Sequence, residues 1–345
     1  MADSGRAVDS IVRSAQGAGV DVEVVVAWQG PEPPPASSNA RIVDVFPVGL
    51  SYARNRGFRE TRSALVAFVD DDEVVAPGWI GAVLSAFDEP TPAAGAFGPV
   101  SPLGGAALSH PRDSERRVFS GRRTGPWFVG TGGNMAFRRE VFAASGGFDL
   151  RFGAGAAARA AEDWDLIVRL LREGHALVWS SQMLVYHPAK DDHAQLASRF
   201  PYGFGVGHLA RRHRDVLLAL RYSRAISEVL IEAVGKRDRR RLREGLAILR
   251  GFVAGAASRA RPLSPEAALA RLPEALRERV GAERWRPLEL VRSGEPELRY
   301  RGSGGRVLHV YVSPPPGLEA SVAGRPETEA LSKGRDSLWV ISRGT

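Results

Sequence analysis

Apolar and polar positions alternate at helical spacing over residues 7 to 16, after which Val22 to Ala27 (VEVVVA) forms a short apolar run. A run of that length, rich in β-branched residues, suits a strand buried in a parallel sheet. The proline-rich stretch GPEPPPASSN separates it from a second short strand at Ile42 to Phe46. Ser51 stands where it can cap a helix carrying ARNRGFRETR. Ala64 to Val69 (ALVAFV) reads as a third strand, which runs straight into Asp70, Asp71, Asp72 and Glu73 before Pro77 opens a helix ending near Phe87. Strands alternating with helices predict an α/β fold with a parallel sheet.

Further along, Gly125 to Met135 is glycine-rich around Trp127 and Phe128, and Arg138 to Ser145 reads as a short helix ended by Gly146 and Gly147. Alanine-rich Gly153 to Ala161 is read as a mobile loop. Glu162 to Glu173 (EDWDLIVRLLRE) is an amphipathic helix stopped by Gly174, with short strands at Ala176 to Trp179 and Leu184 to Tyr186 before His187. Beyond Tyr202 the pattern turns helical, with Ile226, Val229, Leu230 and Val234 at three-and-four spacing, then KRDRRRLR and LAILRGFV. The expected organisation is a first domain over 1–205, a basic amphipathic helical extension over 206–262 and a tail over 263–345. Two strand-like runs, RVLHVYVS and DSLWVIS, lie in that tail.

Composition narrows the chemistry. With 345 residues, 44% apolar and 25% charged, the chain has the makeup of a folded globular protein. It has no cysteine, so a metal would be held by carboxylate, imidazole or water, which favours hard ions such as Mg or Mn. The start MADSGRAVDS lacks the apolar core of a secretory signal, and no apolar run is long enough to span a bilayer. The expected location is the cytoplasm, extending to the inner face of the membrane if the basic helices rest there. The net charge of +8 fits nucleic acid, an anionic membrane surface or an arginine-rich proteome, and the helical extension with KRDRRRLR fits an anionic membrane surface or a solvated helical face equally well. Without zinc-finger spacing, an aromatic RNP-type strand or a basic helix leading into heptads, nucleic acid is not an expected partner.

In open α/β sheets, ligands sit at the carboxyl ends of strands, where Asp70, Asp71 and Asp72 fall. Adjacent carboxylates repel one another, and a divalent cation bridging a diphosphate relieves that repulsion. Taken alone, three acids are better explained by a polar turn that caps the next helix. A second constellation shifts the balance.

The ordered set GLSYARNRG, AFVDDDEVVAPGW, GTGGNMAFRREVFAASGGFD, AEDWDLIVRLLREG and VYH resembles glycosyltransferase family 2 over about residues 20–210. That resemblance implies a GT-A-like mixed, mostly parallel sheet flanked by helices. It implies an enzyme that moves a sugar from a nucleotide diphosphate donor to a glycan, lipid-linked or small-molecule acceptor hydroxyl, inverting the anomeric centre with Mg or Mn bound. By the same resemblance Asp72 is the direct metal ligand, Asp70 contacts ribose or metal, Asp71 completes the acidic element, and His187 completes the metal shell. Arg54 and Asn55 lie near the nucleotide, and Gly132, Gly133 and Asn134 form the loop before the acceptor. Asp163, beside Glu162, is the general base, because an alcohol is a poor nucleophile until a positioned carboxylate removes its proton. Trp127 and Trp164 are candidate stacking platforms for a sugar, or core aromatics.

The chain departs from the family pattern at two places. The strand that usually comes first is not found, which leaves either a misassigned start or another segment, with RVLHVYVS as the candidate filler. VEVVVA also ends in Trp28, Gln29 and Gly30, where the family commonly has an aspartate for the base. A non-catalytic binding protein of the same fold is therefore the alternative. A nucleotidyltransferase would need an early glycine-rich phosphate loop, which is not seen.

Overall fold

The computed structural model describes residues 4–29, 39–45, 49–88, 92–103 and 115–258, and strands at 286–287, 297–301, 307–312, 328–333 and 337–342. The proline-rich stretch around residues 30–38 and most of the tail lie outside the described residues.

Helix α1 (Ser4–Ala18) leads to β1 (Val25–Trp28), which pairs in parallel with β2 (Arg41–Asp44). Helix α2 (Leu50–Glu60) then crosses to β3 (Leu65–Val69). Ser51 is not the cap of α2: Gly49 occupies that position, and the buried Ser51 hydroxyl donates to the carbonyl of Phe152 at 2.7 Å. After the acidic turn come β4 (Val74–Val75) and α3 (Trp79–Phe87). Two buried serines pin α1 to this region, Ser10 accepting from the Val75 N–H and Ser14 from the Ile80 N–H.

The central sheet adds β5 (Ala93–Phe97), β7 (Arg116–Phe119), β8 (Asn134–Arg138) and β9 (Ala176–Ser180) in the order β3-β8-β5-β9-β7. It is mixed. β8 lies antiparallel between β3 and β5, β5 and β9 are parallel, and β7 runs against β9. Three of these strands escape a reading by pattern. AAGAF in β5 has little β propensity, yet it is buried throughout, because small residues admit large neighbours. A Cβ at Gly95 would sit 2.6 Å from the Phe137 ring. A second, small sheet joins β6 (Val100–Pro102) and β10 (Val185–His187) to β4.

The core fills both faces of the central sheet. Phe68, Phe97, Phe137, Phe142, Phe148 and Leu166 lie on one side, and Trp79, Val83, Ala96, Val178 and Met183 on the other. Helix α4 (Arg139–Ala144) ends at Gly146 and Gly147, and α5 (Glu162–Arg172) ends at Gly174, all three at positive φ as the sequence predicts.

The helical region starts earlier than the periodicity indicates. Helix α6 (Asp192–Arg212) runs through Pro201, and Asp191 caps its start by accepting the Ala194 N–H. Helices α7 (Val216–Gly235) and α8 (Arg239–Ala257) follow. Glycines let α6 and α8 touch backbone to backbone: a Cβ at Gly203 or Gly207 would meet the carbonyl oxygen of Ile248 or Phe252 at 2.1 Å. On the facing side, Gly251 and Gly255 meet Phe200 and Phe204 in the same way. This small-residue spacing on both helices is a device for close helix approach.

In the tail, β11 (Arg286–Pro287), β12 (Glu297–Arg301), β13 (Val307–Val312), β14 (Thr328–Lys333) and β15 (Ser337–Ser342) form an antiparallel sheet in the order β11-β12-β13-β15-β14. This overturns RVLHVYVS as the filler of the first-strand position. Both edges of β13 are already paired, to β12 and β15.

Candidate active site

The acidic turn after β3 is braced from below by Glu73. Its buried carboxylate accepts the Asp70 N–H at 3.1 Å. Burial first, and then Asp70, push the Glu73 carboxyl up to about 8. A Cβ on Gly133, just ahead of β8, would lie 2.3 Å from Glu73 Oε1, so a side chain there would push that carboxylate aside. Glu73 was open to sequence reasoning only as the fourth acid of DDDE; its inward direction is a tertiary fact.

Arg54, on α2, joins the two acidic constellations. Its guanidinium donates to Asp70 at 2.7 Å, to Glu162 at 2.8 Å and to the carbonyl of Gly132 at 3.0 Å, and lies 5.5 Å from the centre of the Phe148 ring. Burial lowers the Arg54 pKa, but Asp70 and Glu162 outweigh it, and the net shift is upward. Gly132 is again a place where a side chain would press on this ion pair, its Cβ standing 3.0 Å from Arg54. With its hydrogen bonds spent inside the protein, Arg54 is a brace between two acid clusters. Asn55 is likewise engaged: its side-chain amide donates to the Phe148 carbonyl and accepts the Phe148 N–H, clamping the turn at Gly147.

Glu162 and Asp163 start α5, at the positive end of the helix. The alanine-rich segment before them is not a loose loop. Ala158, Ala160 and Ala161 are buried, and Ala161 and Arg159 hold left-handed backbone angles. Arg159 stacks over Phe200 and Phe204 of α6. Asp163 accepts the Trp164 N–H at 2.8 Å. Removal from water, and then the charge of Glu162, raise its carboxyl to about 7, against opposing contributions from the backbones of Trp164 and Gly132 and from Arg54.

Asp72 and His187 face each other, Nε2 to Oδ2 at 3.3 Å, across the β4 and β10 pairing. His187 Nδ1 approaches the Pro188 carbonyl at 2.5 Å, which fixes the ring with Nε2 toward the aspartate. Asp71 is exposed on the turn, and its pKa is raised by desolvation and then by Asp72. Among the described residues no three carboxylates and imidazoles converge as a metal-holding cluster, and Asp70 is committed to Arg54. Of the three expected metal ligands, Asp72 and His187 face each other and Asp70 is bonded to Arg54.

Two of the expected acceptor residues have side chains engaged in packing. Asn134 is fully buried, taking the Trp79 indole N–H and donating to the carbonyls of Pro99 and Met183. Trp164 packs with Trp127 and edge-on against Tyr222, joining α5 to the helical extension. Gly132 and Gly133 do border the site, through Arg54 and Glu73. Phe128, next to Trp127, is 60% exposed.

Residues 42–146 match the sequence model described as Glycosyl transferase family 2. That span holds Arg54, Asn55, the acidic turn and the Gly132 to Asn134 segment. Similar solved structures include a mannosyltransferase, PcManGT, from Pyrobaculum calidifontis in complex with GDP-Man and Mn2+. It is 15% identical over 81% of this chain and 77% of its own, with a TM-score of 0.43. TarS from S. aureus is 12% identical over 74% and 77%, with a TM-score of 0.45. No curated protein matches the chain. The motif resemblance is thus borne out by the family match over residues 42–146, and glycosyl transfer is the class of activity that this match supports.

Proposed function

We propose that the protein transfers a sugar from a nucleotide diphosphate donor to an acceptor hydroxyl, with inversion. The observation that carries this reading is Arg54, which holds the acidic turn and the Glu162–Asp163 pair against one guanidinium. In this reading, two sets of acids that each have an ordinary structural explanation are parts of one site.

Asp163 is suited to general-base work, because a carboxyl raised to about 7 accepts a proton near neutral pH and is protonated only marginally at rest above it. In this reading it takes the proton of the acceptor hydroxyl as the oxygen attacks the anomeric carbon. The bond to the diphosphate breaks on the opposite face in the same displacement, so the anomeric configuration inverts. Arg54 and the Trp164 N–H hold Asp163 and Glu162 in place. Asp72 and His187 fit one divalent ion as a two-residue site, since Mg commonly takes one or two protein ligands and completes its shell with phosphate oxygens and water. Bound there, the ion would offset the charge of the leaving diphosphate.

Membrane contact belongs to the same proposal. Val216, Leu220, Ile231 and Val234 are exposed along α7, close in sequence to Arg221, Arg237, Arg239, Arg240 and Arg241. An apolar line with basic flanks suits an anionic surface carrying a lipid-linked acceptor. Among the described residues no helix is long and apolar enough to cross a membrane. Equal retention on neutral and anionic liposomes would remove this part.

The test is calorimetric titration of UDP, GDP and dTDP with and without Mn, for the parent protein and Asp72→Ala. Metal-dependent binding of one nucleotide, lost in the variant, is expected. Absence of binding to all three would instead favour a non-catalytic protein of this fold.

A further inference from the structure

Asp165 follows Asp163 by two residues, about 200° further around α5, and is buried. Its two oxygens serve different parts of the protein. Oδ2 accepts from Arg169 Nε at 2.8 Å within the helix, and Oδ1 faces His213 Nε2 at 2.7 Å. Arg169 also donates to the carbonyls of Ser145 and Gly147, at 2.7 and 2.6 Å. Those carbonyls belong to the turn after α4, which Asn55 clamps from the α2 side through Phe148. α5 is thus tied at one point to the segment beside Arg54 and at another to the end of α6.

His213 is the C-cap residue of α6, and Asp215 is the N-cap of α7, accepting the Leu218 N–H at 2.8 Å. Between them Arg214 holds φ at 50°, in the left-handed region that residues with a side chain seldom enter. Arg172, on the last turn of α5, grips both ends of this corner. It donates to Asp215 at 2.7 Å, to His213 Nδ1 at 3.1 Å and to the His213 carbonyl at 3.4 Å. The imidazole therefore stands between the Asp165 carboxylate, which only accepts, and the Arg172 guanidinium, which only donates. One arrangement satisfies both contacts: the ring carries its proton on Nε2 and offers the Nδ1 lone pair to Arg172. A proton on Nδ1 would point at an N–H of Arg172.

We propose that His213 is a positioning residue for the first turn of α5: protonated on Nε2 alone, it holds Asp165, and with it Glu162 and Asp163, against the α6–α7 corner. The hydrogen-bonded backbone of a helix is stiff over one turn, so fixing Asp165 fixes the two acids just ahead of it. The helical extension thereby becomes part of the site, because the corner that starts α7 carries the bond that orients the base. This inference rests on Asp163 as the base of the proposed transfer, and its readouts do not require transfer to be observed.

The test is nuclear magnetic resonance on the full chain. Imidazole nitrogen spectra at neutral pH, with the His213 signal identified by its loss in His213→Gln, are expected to show the ring protonated on Nε2. A ring protonated on Nδ1 would overturn the proposal, whether or not any variant folds. The second readout is the titration of the Asp163 carboxyl carbon, with a midpoint expected at about 7 in the parent protein. In His213→Leu the first turn loosens, Asp163 regains water and moves from Glu162, and the midpoint should fall below about 6. In His213→Gln, whose amide can still donate to Asp165, the midpoint should stay at the parent value. An unchanged midpoint in folded His213→Leu would overturn the positioning role and leave the transfer reading standing. A parent midpoint of about 4, the ordinary carboxyl value, would instead remove Asp163 as the base, and its positioning with it.

Discussion

Arg54 and Glu162 lie 108 residues apart in the chain and meet at 2.8 Å, both nearly removed from water. A buried ion pair of this kind contributes little by its presence, yet breaking it leaves a charge without compensation. Arg54→Ala should therefore destabilise the protein by about 3 kcal/mol, read by urea denaturation. Adding Glu162→Gln to it should recover part of the loss, because the stranded charge is gone. Additive losses would mean that the two residues do not share the interaction.

Asp163→Asn is expected to slow transfer by about 10²–10⁴ while nucleotide affinity stays within about twofold, because the loss falls on proton removal alone. The base works deprotonated, so the parent rate should rise with pH and level off above about 7, and the variant should lose that limb. A pH–rate profile that is the same in both proteins would exclude Asp163 as the base.

Asp165, one turn into α5, is 1% exposed and accepts from His213 at 2.7 Å and Arg169 at 2.8 Å. Burial pushes its pKa up, but the His213 hydrogen bond and Arg169 outweigh it and hold the group below its ordinary value. A carboxyl depressed on folding stabilises the protein at neutral pH, and that stabilisation disappears as pH falls below about 4. Asp165→Asn should lower the midpoint of thermal unfolding at pH 7 and narrow the gap to the parent protein at pH 3. Parallel melting curves at both values would contradict this.

Gly207→Val should cost about 3 kcal/mol or more, since its Cβ falls 2.1 Å from the Phe252 carbonyl and the helices must part. Gly235, at the end of α7 with open space around it, is the contrast. Gly235→Ala should be neutral or stabilising by up to about 1 kcal/mol. Paired denaturation curves separate the two cases.

Much of this molecule is determined locally and is legible in the order of its residues. The apolar runs at β1 and β3, the acid turn that follows β3, and the glycines ending α4 and α5 depend on side-chain periodicity and on backbone angles that glycine alone adopts freely. The motifs that resemble glycosyltransferase family 2 are readable for the same reason: each is a short contiguous segment. Direction in space is not written there. Only the folded chain decides that Glu73 turns inward beneath Asp70, that Asn134 is spent on the core, that Arg54 is shared between Asp70 and Glu162, and that β13 finds its partners within the tail. Those outcomes depend on contacts between residues far apart in sequence, where burial and charge compensation are settled by whichever neighbours the packing brings within a few ångströms.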